Sequence, residues 1–280
     1  MKILVTGGSG YLGTHVRRFF SADDFSRRSG HNILDPNDAT RVADYDVVIH
    51  LAALLNKDPK AAEDCFNVNA EGTRNVIRNM REGAVFIFAS TKDVYGRHAE
   101  AYANVAENCS TEYCGQSALE WSKLVGEQYV QFYGARQNVR YCIFRMSAVY
   151  ARPSGGNESG FVTHYVESVK HGWPIRLPAS IDPVRDILFV DDLARACQAF
   201  VDSSRSSGLY NLGGGRSNSA SLREIIQKVG NMIDLKPEIE NDMALPAPIP
   251  LNYISDLTRI RDELGWRPQV GMDEGLRMLL

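Results

Sequence analysis

The sequence predicts an α/β protein built on a doubly wound parallel sheet, with a smaller C-terminal lobe. Three observations predict it. An apolar strand at 2–6 runs straight into glycines spaced three apart, Gly7, Gly10 and Gly13. Short runs rich in β-branched or aromatic residues then alternate with helical patterns, the arrangement of a parallel sheet covered by helices on both faces. Beyond residue 150 the texture changes to Pro and Gly punctuation, at Pro153, Gly155, Gly156, Pro174, Pro178 and Pro183. That change reads as a loop-rich lobe rather than more sheet.

Taken in order, strands are expected at 2–6, 25–28, 47–51, 85–89 and 140–144, each short and β-prone. Helices are expected between them at 11–21, 38–43, 69–80 and 117–133, with two later ones at 221–231 and 256–264. The first 150 residues would form the sheet domain and 151–280 most of the lobe, with 186–212 partly returning to the sheet. In such a sheet, ligands sit at the carboxyl ends of the strands.

The first of those ends carries the most specific chemistry. Gly7 allows a tight turn, Gly10 lets the main chain approach an anion without a Cβ in the way, and Gly13 lets the following helix pack close. The helix then presents free N–H groups and its positive dipole end. This arrangement suits a pyrophosphate, so nucleotide binding is expected, the alternative being a merely structural turn.

Composition excludes other classes. A formal charge of −3, with both signs interspersed, gives no field to collect nucleic acid or anionic lipid. The longest apolar runs fall far short of the roughly 20 residues a membrane span needs. Cys65, Cys109, Cys114, Cys142 and Cys197 are odd in number and scattered, which fits reduced thiols and a cytoplasmic setting. The start, Lys2-Ile3-Leu4-Val5, breaks into glycine at once and does not read as an export signal. His50, His98, His164 and His171 have no metal-ligand spacing, so no metal is expected.

Eight segments in order resemble the extended short-chain dehydrogenase/reductases, the group of nucleotide-sugar epimerases, dehydratases and ketoreductases. Thr6 to Gly13 is similar to its TGxxGxxG, His50-Leu51-Ala52-Ala53 to its strand end on the adenine side, and Asn69 to Thr73 to its NxxGT helix start. Ser90 to Gly96 resembles its active-site segment and Ser122 to Glu127 the helix with its catalytic lysine. Arg185 to Asp192, Tyr210 to Gly213 and Leu264 to Pro268 look like its substrate-lobe segments. The resemblance implies a Rossmann sheet and a nicotinamide dinucleotide held by Gly7, Gly10, Tyr11, Leu12, Gly13, Leu51, Ala52, Ala53, Asn69 and Lys123. It also implies a homodimer through the helices at 69–80 and 117–133.

The ribose-reading position, about 20 residues after the first glycine, reads Ser26-Arg27-Arg28. An arginine fork suits a 2′-phosphate, so NADP(H) is expected first and NAD(H) second. The alternative keeps the arginines in solvent and makes Asp24 the ribose acceptor. Asp35 would lie near the adenine by resemblance, or else cap a turn before Pro36.

By resemblance, the reaction is hydride transfer on a sugar-like carbonyl or hydroxyl, with or without a linked nucleotide. It uses a tyrosine acid/base, a lysine four residues later, and a Ser/Thr on the reacting oxygen. Thr91 and Lys123 fill two places, but the third is Leu119, which has no proton to give. Three readings stay open. Asp93, Lys92 or Tyr113 supplies the proton; the protein is a catalytically silent dinucleotide-binding partner; or a specialised reaction uses substrate groups as the acid. Ser90, Thr91, Lys92 and Arg185 are the expected substrate contacts, Arg185 by resemblance to a diphosphate-binding arginine, or otherwise in a salt bridge with Asp186 or Asp191. Ala148 stands where the family has an asparagine, and the prolines of 245–250 stand where it has a second arginine, which weakens the nucleotide-sugar assignment.

Overall fold

The structure, a computed structural model, describes residues 1–153 and 160–280. Gly155 and Gly156 of the Pro/Gly-rich stretch lie outside the described residues. The chain runs β1 (Ile3–Thr6), α1 (Tyr11–Phe20), β2 (Asp23–Phe25), α2 (Pro36–Ala39), β3 (Val47–His50), α3 (Ala62–Cys65), α4 (Gly72–Ile77), β4 (Val85–Thr91), α5 (Ala118–Gln137) and β5 (Arg140–Met146). It continues through β6 (Ala148–Tyr150), α6 (Phe161–His171), β7 (Ile175–Pro178), β8 (Val184–Phe189), α7 (Val190–Asp202), β9 (Ser207–Leu212), β10 (Ser219–Ser221), α8 (Leu222–Met232), β11 (Ile239–Asp242), α9 (Thr258–Leu264) and α10 (Met272–Arg277).

Six strands form one sheet in the order β2-β1-β3-β4-β5-β9, every neighbour pair parallel. The inner strands Ile3 to Thr6 and Val47 to His50 are buried throughout and apolar up to their last residues, Thr6 and His50, as a sheet covered on both faces requires. The order reverses between β1 and β3: from β1 the chain moves outward to β2, then returns across β1 to β3. A crevice opens at the carboxyl ends of strands at such a point. Helix α5 covers β4 and β5 on one face, and α7 packs on α1 on the other.

Two sequence expectations need correction. The second strand was expected at 25–28, but β2 ends at Phe25 and Arg27–Ser29 turn away as a 3-10 helix. The cause is local: Ser26 and Ser29 exchange side-chain to backbone hydrogen bonds, a capping box that starts a turn where a strand would continue. The lobe also contains more regular structure than its punctuation suggests. Strands β10, β8 and β6 form a small sheet and β11 pairs with β7, while α6 buries Val162, Val166 and Val169 at helical spacing. The prolines and glycines separate these elements rather than replace them. Residues 207–212 join the central sheet as its edge strand, whereas 184–189 stay in the lobe.

The helix expected at 69–80 begins earlier, at Ala62, and passes through a π-helical stretch, Phe66–Glu71, before α4. Among the described residues no helix is long and apolar enough to cross a membrane, and no cluster suits a metal ion. All five cysteines are free thiols.

Candidate active site

The glycine loop follows β1 at the reversal point. Gly7 has φ +70, a conformation that disfavours any side chain, and its N–H donates to the Phe25 carbonyl at 2.9 Å. A Cβ on Gly7 would lie 2.9 Å from the Ala52 backbone, and one on Gly13 would lie 2.0 Å from the Gly7 carbonyl oxygen. The loop and the helix therefore close on each other only without side chains, and they form a backbone cradle at the N-terminus of α1. Leu51 and Ala52 line its other side, their N–H groups donating to the Thr6 carbonyl at 3.1 Å and the Thr6 hydroxyl at 3.3 Å. Ala53 follows on the same segment. Leu12 packs on the core behind the loop, while Tyr11 donates to Ala151 and bonds Thr163, tying the loop to the lobe.

At the mouth of the cradle stands Asp24. One carboxylate oxygen accepts from the hydroxyls of Ser9 and Ser26, while the other is buried without a hydrogen-bond partner, 2.6 Å from where Gly8 would place a Cβ. An orphaned buried acceptor beside the glycine loop is one that a bound O–H or N–H donor would satisfy. The Arg28 guanidinium donates to the Ser9 carbonyl at 3.3 Å, and Arg27 is exposed on the 3-10 turn. Asp35 caps α2, accepting from Asn37 N–H at 2.9 Å, so the capping alternative describes it.

Strand β4 and helix α5 carry the next group. Leu119 and Lys123 lie one turn apart on the buried face of α5. The Lys123 ammonium donates to the Ala89 carbonyl at 2.7 Å and sits 4.9 Å above the Phe88 ring. Burial lowers its pKa to about 8, Glu127 partly opposing. Thr91, one pleat beyond Ala89 on β4, accepts from Asp93 N–H at 3.2 Å and starts the 3-10 segment Lys92–Ala101.

Asp93 is clasped from both sides. Its two oxygens pair with the Lys92 ammonium and with the Lys57 ammonium, the latter at 2.9 Å. Burial would raise its pKa, but the two ammoniums outweigh that and hold the carboxyl far below the ordinary range. A group held ionised this firmly has no proton to donate near neutral pH. Lys92 is buried and its pKa is lowered, chiefly by desolvation, with Asp93 opposing. Tyr113 is 66% exposed and stacks on Trp121 at 6.1 Å between centroids. Trp121 is two residues from Leu119, on the opposite side of α5, so the structure does not bring Tyr113 to Thr91 and Lys123.

Three further expected contacts are spent on structure. Ser90 donates to Glu127 at 2.5 Å in a buried network with Arg145. Asn69 is fully buried, accepts from Leu54 N–H at 2.8 Å and donates to the Leu54 carbonyl and to Ser122, each at 3.0 Å. Arg185 donates to the carbonyls of Val184, Pro250 and Leu251, each at 2.7 Å, and so clasps the 250–253 segment rather than Asp186 or Asp191. His50 is also structural: it lies between the Thr6 and Thr73 hydroxyls, and desolvation followed by the Lys123 charge lowers its pKa to about 3. Lys57 and Glu120 were missed in the sequence. Neither falls in a motif, and only the tertiary fold brings Lys57 to Asp93 and Glu120 to Lys57.

Residues 3–213 match the NAD dependent epimerase/dehydratase family, and the chain belongs to that family. A putative UDP-glucose 4-epimerase of Methanocaldococcus jannaschii is 26% identical over 99% of this chain and 97% of that protein. Among solved structures, the UDP-glucuronic acid 4-epimerase of Bacillus cereus, in complex with UDP-glucuronic acid and NAD, has a TM-score of 0.84 at 21% identity, covering 100% of this chain and 98% of that one. RMD of Pseudomonas aeruginosa, complexed with NADPH, has a TM-score of 0.81 at 23% identity, covering 100% and 98%.

Proposed function

We propose that this chain is a nicotinamide-dependent oxidoreductase of the epimerase/dehydratase kind, acting on a nucleotide-sugar carbonyl or hydroxyl, with Lys92 as proton donor where the family has a tyrosine. The single observation that carries the proton assignment is the Lys92–Asp93–Lys57 clasp, which leaves Lys92 as the buried group next to Thr91 with a proton to give. Family membership supports the reaction class, and relatives named for nucleotide sugars support the substrate class.

The residues fit a dinucleotide. The glycine cradle would take the pyrophosphate on the N–H groups of Gly10 to Gly13, and Lys123, with N–H groups left over after Ala89, would hold the nicotinamide ribose. Asp24 would accept from an adenosine ribose hydroxyl, which satisfies its orphaned oxygen and favours NAD(H). A second reading keeps NADP(H), because Arg28 lies against Ser9 with most of its N–H groups unspent. When bound, the nicotinamide supplies or takes the hydride. Thr91 would orient the reacting oxygen by its hydroxyl, Lys92 would give that oxygen a proton, and Leu119 would keep water from it.

Family membership also supports a homodimer through α4 and α5, whose outer side exposes Trp121 and Phe132. Calorimetric titration with NADH and NADPH tests the cofactor site: the Asp24 reading expects tighter NADH binding, and tighter NADPH binding would transfer the ribose to Arg28.

A further inference from the structure

Lys57 lies outside every sequence motif, yet it joins three parts of the site. It stands on the segment that follows β3, and that segment is fixed before it: Asn69 holds both backbone groups of Leu54, and the Cys65 thiol donates to the Asn56 carbonyl at 3.1 Å. From there the ammonium reaches Asp93, on the loop after β4, at 2.9 Å, and Glu120, in the first turn of α5, at 2.7 Å. Glu120 is itself pinned, its other oxygen accepting from Ser117 N–H at 2.7 Å and Ser117 hydroxyl at 2.6 Å. About half of the Lys57 side chain faces solvent, whereas Lys92 and Glu120 are buried.

We propose that Lys57 is a positioning residue of the proton-donating site: by pairing with Asp93 and Glu120 at once, it fixes Asp93 against Lys92 and sets how readily Lys92 gives up its proton. The proposal rests on the reading of Lys92 as donor. In the step, an N–H bond of the Lys92 ammonium breaks and an O–H bond forms on the substrate oxygen that has received the hydride at its carbon. Lys92 is left as a neutral amine and regains a proton from water.

The groups facing Lys92 define the expected effect. Asp93 attracts its proton; Lys57 and Arg185 repel it; the Tyr253 ring lies 5.2 Å from its ammonium. Lys57 also shares the Asp93 carboxylate. Removing the Lys57 charge withdraws one repelling cation and returns the whole carboxylate to Lys92, so both effects make Lys92 hold its proton more tightly.

The chain has eight lysines, so NMR of ε-13C-lysine-labelled protein gives a countable set of signals, with that of Lys92 assigned by its loss in Lys92→Met. In Lys57→Gln the Lys92 titration should move up by roughly one pH unit, the low end of what a neighbouring charge produces. Lys57→Arg should restore the native midpoint. An unchanged Lys92 midpoint in folded Lys57→Gln overturns the role of Lys57, whatever turnover shows. Full turnover in Lys92→Met overturns the donor reading instead, so the two failures are distinguishable.

Discussion

Replacing Lys123 with Met should make the cofactor-free protein more stable while weakening dinucleotide binding. Lys123 is 3% exposed, and burial takes its pKa from 10.5 to about 8. At about 1.4 kcal/mol per unit, the buried charge costs about 3 kcal/mol of stability. The Ala89 carbonyl loses its donor in the variant, which returns about 1 kcal/mol and leaves a net gain of about 2 kcal/mol at pH 7. Met keeps most of the stem volume, so no cavity opens. The sign with pH follows from the lowered midpoint. Below about pH 8 Lys123 is charged in both states and the cost is complete; between 8 and 10.5 the unfolded chain alone still holds the proton and the cost fades. Urea unfolding of native and variant protein at pH 7, 8.5 and 10 measures the difference. It should be largest at pH 7 and shrink steadily. A variant less stable than native at pH 7, or a difference independent of pH, would refute the reasoning.

His50 should set part of the acid limit. With its pKa lowered from 6.5 to about 3 by burial, its neutral form stabilises the fold above pH 6.5, and that contribution is lost as pH falls toward 3. His50→Gln should therefore flatten the stability profile between pH 6 and 4 in thermal scans, and an unflattened profile would show that another group carries the acid response. At the cradle, Asp24→Asn should reduce the NADH over NADPH preference in calorimetric titration by roughly tenfold, the scale of a hydrogen bond to a charged group. No change in that ratio would remove Asp24 from the ribose site. Sedimentation should show a dimer that Phe132→Glu weakens, whereas a native monomer would end the helix-face assignment.

The sheet was legible because its strands are short apolar runs with local punctuation, and the glycine loop because Gly7 and Gly13 answer to steric limits any fold must obey. The end of β2 was not legible. A pair of serines exchanging caps turned Arg27 and Arg28 out of the strand and left Asp24, three residues before Arg27, beside the glycine loop. The missing phenol was visible at Leu119, and Lys92 stood among the candidate donors, but the clasp around it was not visible, since Lys57, Asp93 and Glu120 come from three separate elements and meet only in the folded chain. Tyr113 looked available by sequence distance alone. Helical geometry placed its partner Trp121 on the far side of α5.

The central claim is that this chain performs nicotinamide redox chemistry with a lysine in place of the tyrosine. The most direct test is absorbance-monitored oxidation of NADH and NADPH, with a panel of nucleotide-linked keto sugars, by the native protein and Lys92→Met. The account expects native turnover and a loss of roughly 10² to 10⁴ in Lys92→Met, the usual contribution of a general acid, with dinucleotide affinity unchanged. Equal turnover in the two proteins, or none in the native protein with dinucleotide bound, would contradict it.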